Sequence, residues 1–337
     1  MYLIDPNKKQ FKANLHSHSV LSDGMLTPEE MKERYKRNGY SILAVTDHEV
    51  PRKHPELNDE EFLTITGYEG YIRLYPDARS DPYAREIHMC LFARDPDNET
   101  MICYNPGYCR YLSEEEQAAL KKAGSQRPRE YSREYINEYI RTAKENGYIV
   151  TYNHPFWSME SEADIMAYEG YFSLEIHNTA CGITSRLEKN TQLYEQMLMS
   201  GKRVFCHSSD DNHNEVPEGH PADESCKSFT MILADGLEYG AIFTAMETGE
   251  MYSSTGPAFK EISIEDNKLH IECSEVEQIC LLTGGKNHKA VYAEKGGVIT
   301  SADFEVDRRA RYIHVLAYDK NGGVAESRGY MRYELPF

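Results

Sequence analysis

Between residues 11 and 250 short β-type runs alternate with helical stretches, and this alternation restricts the possible folds more than any other feature. FKANL is followed by TPEEMKERYKRNG and SILAVT, and later come FLTIT, EIHMCLFA, YIVTY, YFSLEIH, KRVFCHS and SFTMILA. Such alternation predicts a parallel α/β sheet or barrel, in which loops at the C-terminal strand ends carry the chemistry. The first helix is clearly bounded: Thr27 is a candidate N-cap with Glu30 completing a capping box, Pro28 takes the first helical position and Gly39 ends it. From about Gly256 the pattern becomes β alternation in FKEISIE, KLHIECS, QICLLTG and YIHVLAYD. The expected division is an α/β domain over 1–255 and a small all-β, sandwich-like domain over 256–337. An insertion at about 95–130, rich in Tyr, Glu and Arg, reads as a lid or as a solvated surface loop.

Composition narrows the function. At 337 residues the chain exceeds the size at which one core usually stops growing. Its 37 basic and 55 acidic residues give a formal charge of −18, which disfavours a nucleic acid duplex or an anionic membrane as partner. No apolar run approaches the roughly 20 residues of a membrane-spanning helix, and MYLIDPNKKQF lacks the layout of a signal peptide, so a cytoplasmic location is expected. The eight cysteines contain no C-x-x-C pair and read as reduced thiols rather than a zinc knuckle or disulfide framework.

Histidine placement carries the chemistry. His16-Ser17-His18 follows FKANL, and its spacing puts both imidazoles on one side of an extended segment, within reach of one ion. Asp47-His48 follows SILAVT, where His48 is a candidate ligand and Asp47 is expected to orient it by accepting its other N–H. Glu69 ends another β-type run and could bridge two cations through its two oxygens. His88 lies inside an apolar run, the usual setting of a core histidine, whereas Pro155 keeps His154 from continuing a ladder. Asp211 and His213 repeat the two-residue spacing after KRVFCHS. Each element alone is ambiguous; six in order, each at a strand end, are not an accident of composition.

Taken together, HSHSVLSDG, LAVTDHE, GYE, EIH, NHP and SDDNH resemble the successive metal-binding motifs of the polymerase and histidinol phosphatase (PHP) superfamily over about residues 11–215. The resemblance implies a distorted (β/α)7 barrel and nine ligands: His16, His18, Asp23, His48, Glu69, His88, His154, Asp211 and His213. It implies three divalent ions (Zn, Mn or Fe): one held by His16, His18, Glu69 and Asp211, one by Asp23, His48 and His213, one by Glu69, His88 and His154. The ending YIHVLAYDKNGGVAESRGYMRYEL also resembles a PHP subgroup with a β domain after the barrel. Cys206-His207-Ser208 departs from the small residues usual before SDD, and is expected to add a polar group to the pocket.

Six neutral imidazoles and three carboxylates carry about −3, and three divalent ions would leave the site near +3, suited to a phosphate dianion. The implied reaction is hydrolysis of a small-molecule phosphate ester (nucleotide, nucleoside bisphosphate or sugar phosphate) by a hydroxide bridging the metals. His207 is the candidate general acid, and Asp47 is counted with it among the catalytic candidates. Arg52, Lys53, Arg85, His177 and Asn178 are the candidate substrate-binding residues, with Phe156 and Trp157 as possible stacking surfaces. Two other readings remain open: hydrolysis of a carboxylic ester or amide by the same site, and a non-catalytic metal-bound binding module.

Overall fold

The computed structural model describes residues 1–75, 81–186, 188–286 and 288–337. The chain opens with β1 (Tyr2–Ile4) and β2 (Lys9–Asn14), followed by α1 (Pro28–Arg37). The Thr27 hydroxyl accepts from Glu30 N and the Glu30 carboxylate accepts from Thr27 N, while Gly39 leaves the helix at φ +79°. Next come β3 (Ile42–Ala44), β4 (Leu63–Ile65), β5 (Gly67–Arg73) and β6 (Glu86–Ala93). The insertion holds β7 (Met101–Ile102), α2 (Glu114–Ala119) and β8 (Lys122–Ala123). Strand and helix then alternate through α3 (Arg133–Glu145), β9 (Tyr148–Tyr152), α4 (Glu162–Ala167), β10 (Ser173–Asn178), α5 (Thr179–Ser185), α6 (Thr191–Ser200) and β11 (Phe205–Ser209). They are followed by β12 (Phe229–Ala234), α7 (Tyr239–Thr248) and β13 (Met251–Ser254). The rest is β structure: β14 (Phe259–Glu265), β15 (Lys268–Val276), β16 (Gln278–Leu282), β17 (Lys289–Tyr292), β18 (Ile299–Glu305), β19 (Tyr312–Tyr318) and β20 (Val324–Ser327).

The mixed α/β class holds, but the sheets are not uniformly parallel. One sheet runs β11-β10-β9-β6-β5, and a longer one runs β17-β16-β19-β20-β13-β12-β2-β3-β4. β6 is antiparallel to both β5 and β9. No helix separates β5 from β6 among the described residues, and a parallel return would need a crossover of a dozen or more residues, usually helical. The reversal brings the start of β6 to the rim where β3, β9, β10 and β11 end. It therefore explains why His88 stands near the beginning of an apolar run. The segment 63–73 serves both sheets, through β4 in one and β5 in the other. Between β11 and β2 the ladders do not close; the link is the parallel bridge Ser17–Asn212, with His18 N donating to Asn212 O (3.0 Å) and Asp211 N to His16 O (2.9 Å).

The sheet also crosses the expected boundary at 255/256. β13 pairs with β20, so the C-terminal strands continue the longer sheet, while β1 joins β14, β15 and β18 in a separate layer. The buried residues Leu3, Ile262, Ile271, Ile279 and Val315 pack in that C-terminal core. The insertion is only partly solvated: Met101, Ile102, Cys103 and Cys109 are buried in the large core with Tyr68, Tyr135 and Tyr139. Among the described residues no helix is long and apolar enough to cross a membrane.

Candidate metal centre

Seven of the nine candidate ligands (Asp23, His48, Glu69, His88, His154, Asp211 and His213) line one cavity of about 390 Å³, and His16 and His18 are buried beside them. His16 and His18 sit just past the end of β2, with Nε2 atoms 3.3 Å apart. Ser17 between them donates to Ala44 O (2.6 Å), tying the segment to β3. The turn to Asp23 is tight: a Cβ on Gly24 would lie 2.1 Å from His18 O. Glu49, His154 and Asp211 have positive φ (55°, 20° and 51°), so unusual backbone collects at this rim, as it does at functional sites.

Two carboxylates organise the centre. Glu69 Oε1 lies 3.0 Å from His16 Nε2, 3.1 Å from His88 Nδ1 and 3.4 Å from His154 Nε2, while Oε2 lies 2.9 Å from His48 Nδ1. Asp211 Oδ1 lies 3.1 Å from His16 Nε2 and 3.0 Å from His18 Nε2. Among the described residues, four groups have donor atoms close enough to share an ion: His18, Asp23, His48 and His213; His16, His18 and Glu69; His16, His154 and Asp211; and His48, Glu69 and His88. The Asp23, His48 and His213 set expected from the resemblance is thus joined by His18, whose two nitrogens face opposite sides. His16, His18 and Glu69 group as expected, without Asp211, and the remaining groups divide the ligands differently. His154 groups with His16 and Asp211, and His88 with His48 and Glu69.

The charges fit cations. Burial alone would raise the Glu69 pKa, but His16, His88 and His48 hold it well below the usual carboxylate range. Burial opposes the charged form of His88, yet Glu69 and Glu86 outweigh it and raise its pKa to about 10. His18 is pushed down to about 4 by burial and then by His48 and His213. His48 Nδ1 is 2.9 Å from Glu69 Oε2 and His88 Nδ1 is 3.1 Å from Glu69 Oε1, yet these buried atoms are not aligned for hydrogen bonds, although buried polar atoms are nearly always satisfied. Divalent ions at this position would satisfy them, and His and carboxylate donors suit Zn, Mn or Fe.

Several expected roles are relocated. The Asp47 carboxylate accepts from Ser19 N (2.8 Å), Ser19 Oγ (2.6 Å) and Ser22 Oγ (2.5 Å), so it fixes the loop leading to Asp23 and does not orient His48. His207 is buried behind the cavity with Nδ1 2.8 Å from Ser173 Oγ, and burial lowers its pKa to about 4. It does not line the cavity, so its imidazole stands away from the place where a leaving group would need a proton. Cys206 adds no polar group to the cavity either: its Sγ lies 3.4 Å from Ser327 O. Arg52, Lys53 and Arg85 point away and pair with Glu116, Asp97 and Asp164. His177 binds Glu326 (2.8 Å) outside the cavity, and Asn178 Nδ2 donates to Glu175 (2.9 Å) and Asp211 (3.1 Å), holding a candidate ligand instead of a substrate.

The cations that do line the cavity are Arg73 and Arg110. Arg73 ends β5, four residues after Glu69, and Arg110 comes from the insertion, neither beside a histidine motif, so proximity in sequence to the histidines could not reveal them. Arg110 lies 3.5 Å from Asp23, and Tyr111 Oη donates to the same carboxylate (3.0 Å). Trp157 lines the cavity against the rings of His88 and His154, whereas Phe156 does not. Sequence reasoning also missed Glu175, a fully buried carboxylate 3.2 Å from His16 Nδ1 that accepts from His154 N (2.9 Å) and from the Ser209 hydroxyl. Its signal was the strand EIH at 175–177, where the histidine drew attention from the glutamate.

Residues 14–139 match the family described as the PHP domain. The chain is similar along 98% of its length to a two-domain protein from Bacteroides vulgatus, described as containing a predicted PHP-like metal-dependent phosphoesterase. That similarity covers 97% of the other chain at 13% identity and a TM-score of 0.46. An amidohydrolase from Chromobacterium violaceum, solved with sulfate and without metal, is 14% identical over 60% of this chain and 87% of that one, with a TM-score of 0.38. No curated protein matches the chain.

Proposed function

We propose that this chain is a cytoplasmic metal-dependent phosphoesterase acting on a small-molecule phosphate ester: a nucleotide, a nucleoside bisphosphate or a sugar phosphate. The observation that carries this reading is the convergence of six imidazoles on Glu69, Asp211 and Asp23 around one cavity, where close His–carboxylate contacts leave three buried donor atoms outside any aligned hydrogen bond. A distorted (β/α)7 barrel is part of the same reading, supported by the segment 63–73 common to both sheets and by the Ser17–Asn212 bridge. His16, His18, Asp23, His48, Glu69, His88, His154, Asp211 and His213 would hold the ions. Bound divalent ions lower the pKa of water and neutralise phosphoryl charge.

The protein's own residues then bind and orient. Arg73 and Arg110 lie on the cavity wall, Arg73 paired with Glu86 (3.2 Å) and Arg110 3.5 Å from Asp23, and their remaining guanidinium N–H groups suit phosphoryl oxygens. Glu175 holds His16 through Nδ1 and Glu86 holds His88 through Nε2 (3.1 Å), which fixes each ring and leaves its other nitrogen aimed at Glu69. The half-exposed Trp157 offers a flat apolar face to the rest of the substrate.

The test is phosphate release from a panel of nucleotides, bisphosphates and sugar phosphates by metal-stripped protein resupplied with Mn, Zn or Fe, with Asp211→Asn as control. Metal-dependent release that fails in the control supports the reading. No release from protein shown to be loaded would reject phosphate and turn the search to esters and amides.

A further inference from the structure

The insertion ends inside the protein. The Arg129 side chain is fully buried, with Nη1 2.5 Å from Glu49 Oε1 and 2.6 Å from Tyr71 O, Nη2 2.8 Å from Glu49 Oε2, and Nε 3.3 Å from Cys103 O. The rings of Tyr108 and Tyr139 lie 4.3 and 5.4 Å from the guanidinium carbon. Desolvating such a pair costs free energy that its attraction recovers only with good geometry, so hydrophobic packing would hold the insertion as well or better. The location of the partner suggests another role. Glu49 directly follows His48, takes a left-handed backbone (φ 55°), donates N–H to Glu69 O (2.9 Å), and accepts from Tyr71 N (3.1 Å). The pair therefore grips both segments that carry His48 and Glu69, whose side chains meet at 2.9 Å beside His88.

We propose that Glu49 and Arg129 form a positioning pair, through which the insertion sets the spacing of His48 and Glu69 and so the affinity of the cation position they share with His88. This rests on the metal-centre reading above. The pair touches no cation itself, and its effect is on preorganisation of the donors.

The experiment is a cobalt(II) titration of the metal-stripped full chain, read by visible absorption, alongside thermal melting of the same metal-stripped protein. Glu49→Leu combined with Arg129→Met removes both charges and leaves neither buried alone. The double variant should melt near the wild type yet bind cobalt at one position about 10–100-fold more weakly, the size usual for groups that orient ligands. Arg129→Lys keeps the charge without the two-pronged grip and should fall between. Superimposable cobalt titrations for double variant and wild type would overturn the proposal. Should the double variant fail to fold, a folded Arg129→Lys with wild-type affinity overturns it equally. A wild type that binds no cobalt rejects the metal-centre reading, and this inference with it.

Discussion

Two buried clusters of histidine and glutamate in this chain are alike in composition and opposite in arrangement. In the first, one oxygen of Glu69 is within 3.4 Å of three imidazoles, and the cluster opens on a cavity. The second joins β10 and α6 to the C-terminal strands and is a chain of pairs. His177 Nε2 lies 2.8 Å from Glu326 Oε1, which accepts from Thr191 (2.7 Å); His314 Nδ1 lies 2.6 Å from Glu195 Oε1, and Tyr312 Oη donates to Glu195 Oε2 (2.6 Å). Both clusters leave buried atoms outside hydrogen bonds, in the second His314 Nε2 and Glu326 Oε2, which lie 3.6 Å apart. Glu326, however, is shared by two imidazoles that join layers, whereas Glu69 gathers His16, His88, His154 and His48 with further carboxylates at a cavity. His and Glu content alone therefore does not mark a metal site; the number of imidazoles sharing a carboxylate does.

Substitutions can break that contrast. Glu69→Gln should have the largest effect, abolishing activity and bound metal together by more than the roughly 100-fold limit of outer groups; full activity and metal content would remove the bridging role. Glu175→Gln should weaken metal binding by about 10–100-fold while the protein stays folded, because it orients His16 without facing the cavity. Isothermal titration would measure this, and an unchanged affinity would place Glu175 among the merely structural groups. Glu326→Gln should do the reverse, costing about 1.5–3 kcal/mol of stability through its charged hydrogen bonds while metal content stays at the wild-type level. Denaturant unfolding paired with metal analysis tests it, and loss of metal would erase the contrast.

The smallest expected effect is pH-dependent and lies outside both clusters. Glu160 has its pKa raised to about 7 by burial, with Tyr168 donating to one oxygen (2.7 Å). A carboxyl with a folded pKa above its unfolded value holds its proton more tightly when folded, so stability is lost as pH rises from about 4.5 through about 7. Glu160→Gln should flatten this part of the melting-temperature profile, and a slope unchanged from wild type would contradict it.

The strand-end histidines were legible because their chemistry is tied to local pattern. Extended backbone puts His16 and His18 on one side, and Asp211 and His213 repeat the spacing. The supporting residues were not legible. Arg73, Arg110, Glu175 and Arg129 look like ordinary charged residues of β-type runs or of the insertion. The same blindness misplaced Arg52, Lys53 and Arg85, which stand next to site motifs in sequence but pair with outer carboxylates in space. His207 failed for a different reason: it lies inside β11, short of the strand end beyond which Asp211 and His213 stand, so it is buried in the sheet and not at the cavity.

The amino-acid sequence by itself determined the mixed α/β pattern, the first helix with its caps, and the ordered series of candidate donors, because propensity, capping and side-chain period act over a few residues. Tertiary structure decided the reversal of β6, the continuation of the sheet from β13 into β20, and which charged side chains face the cavity. Each of these depends on pairing between segments distant along the chain, where geometry and desolvation select partners that local sequence does not encode.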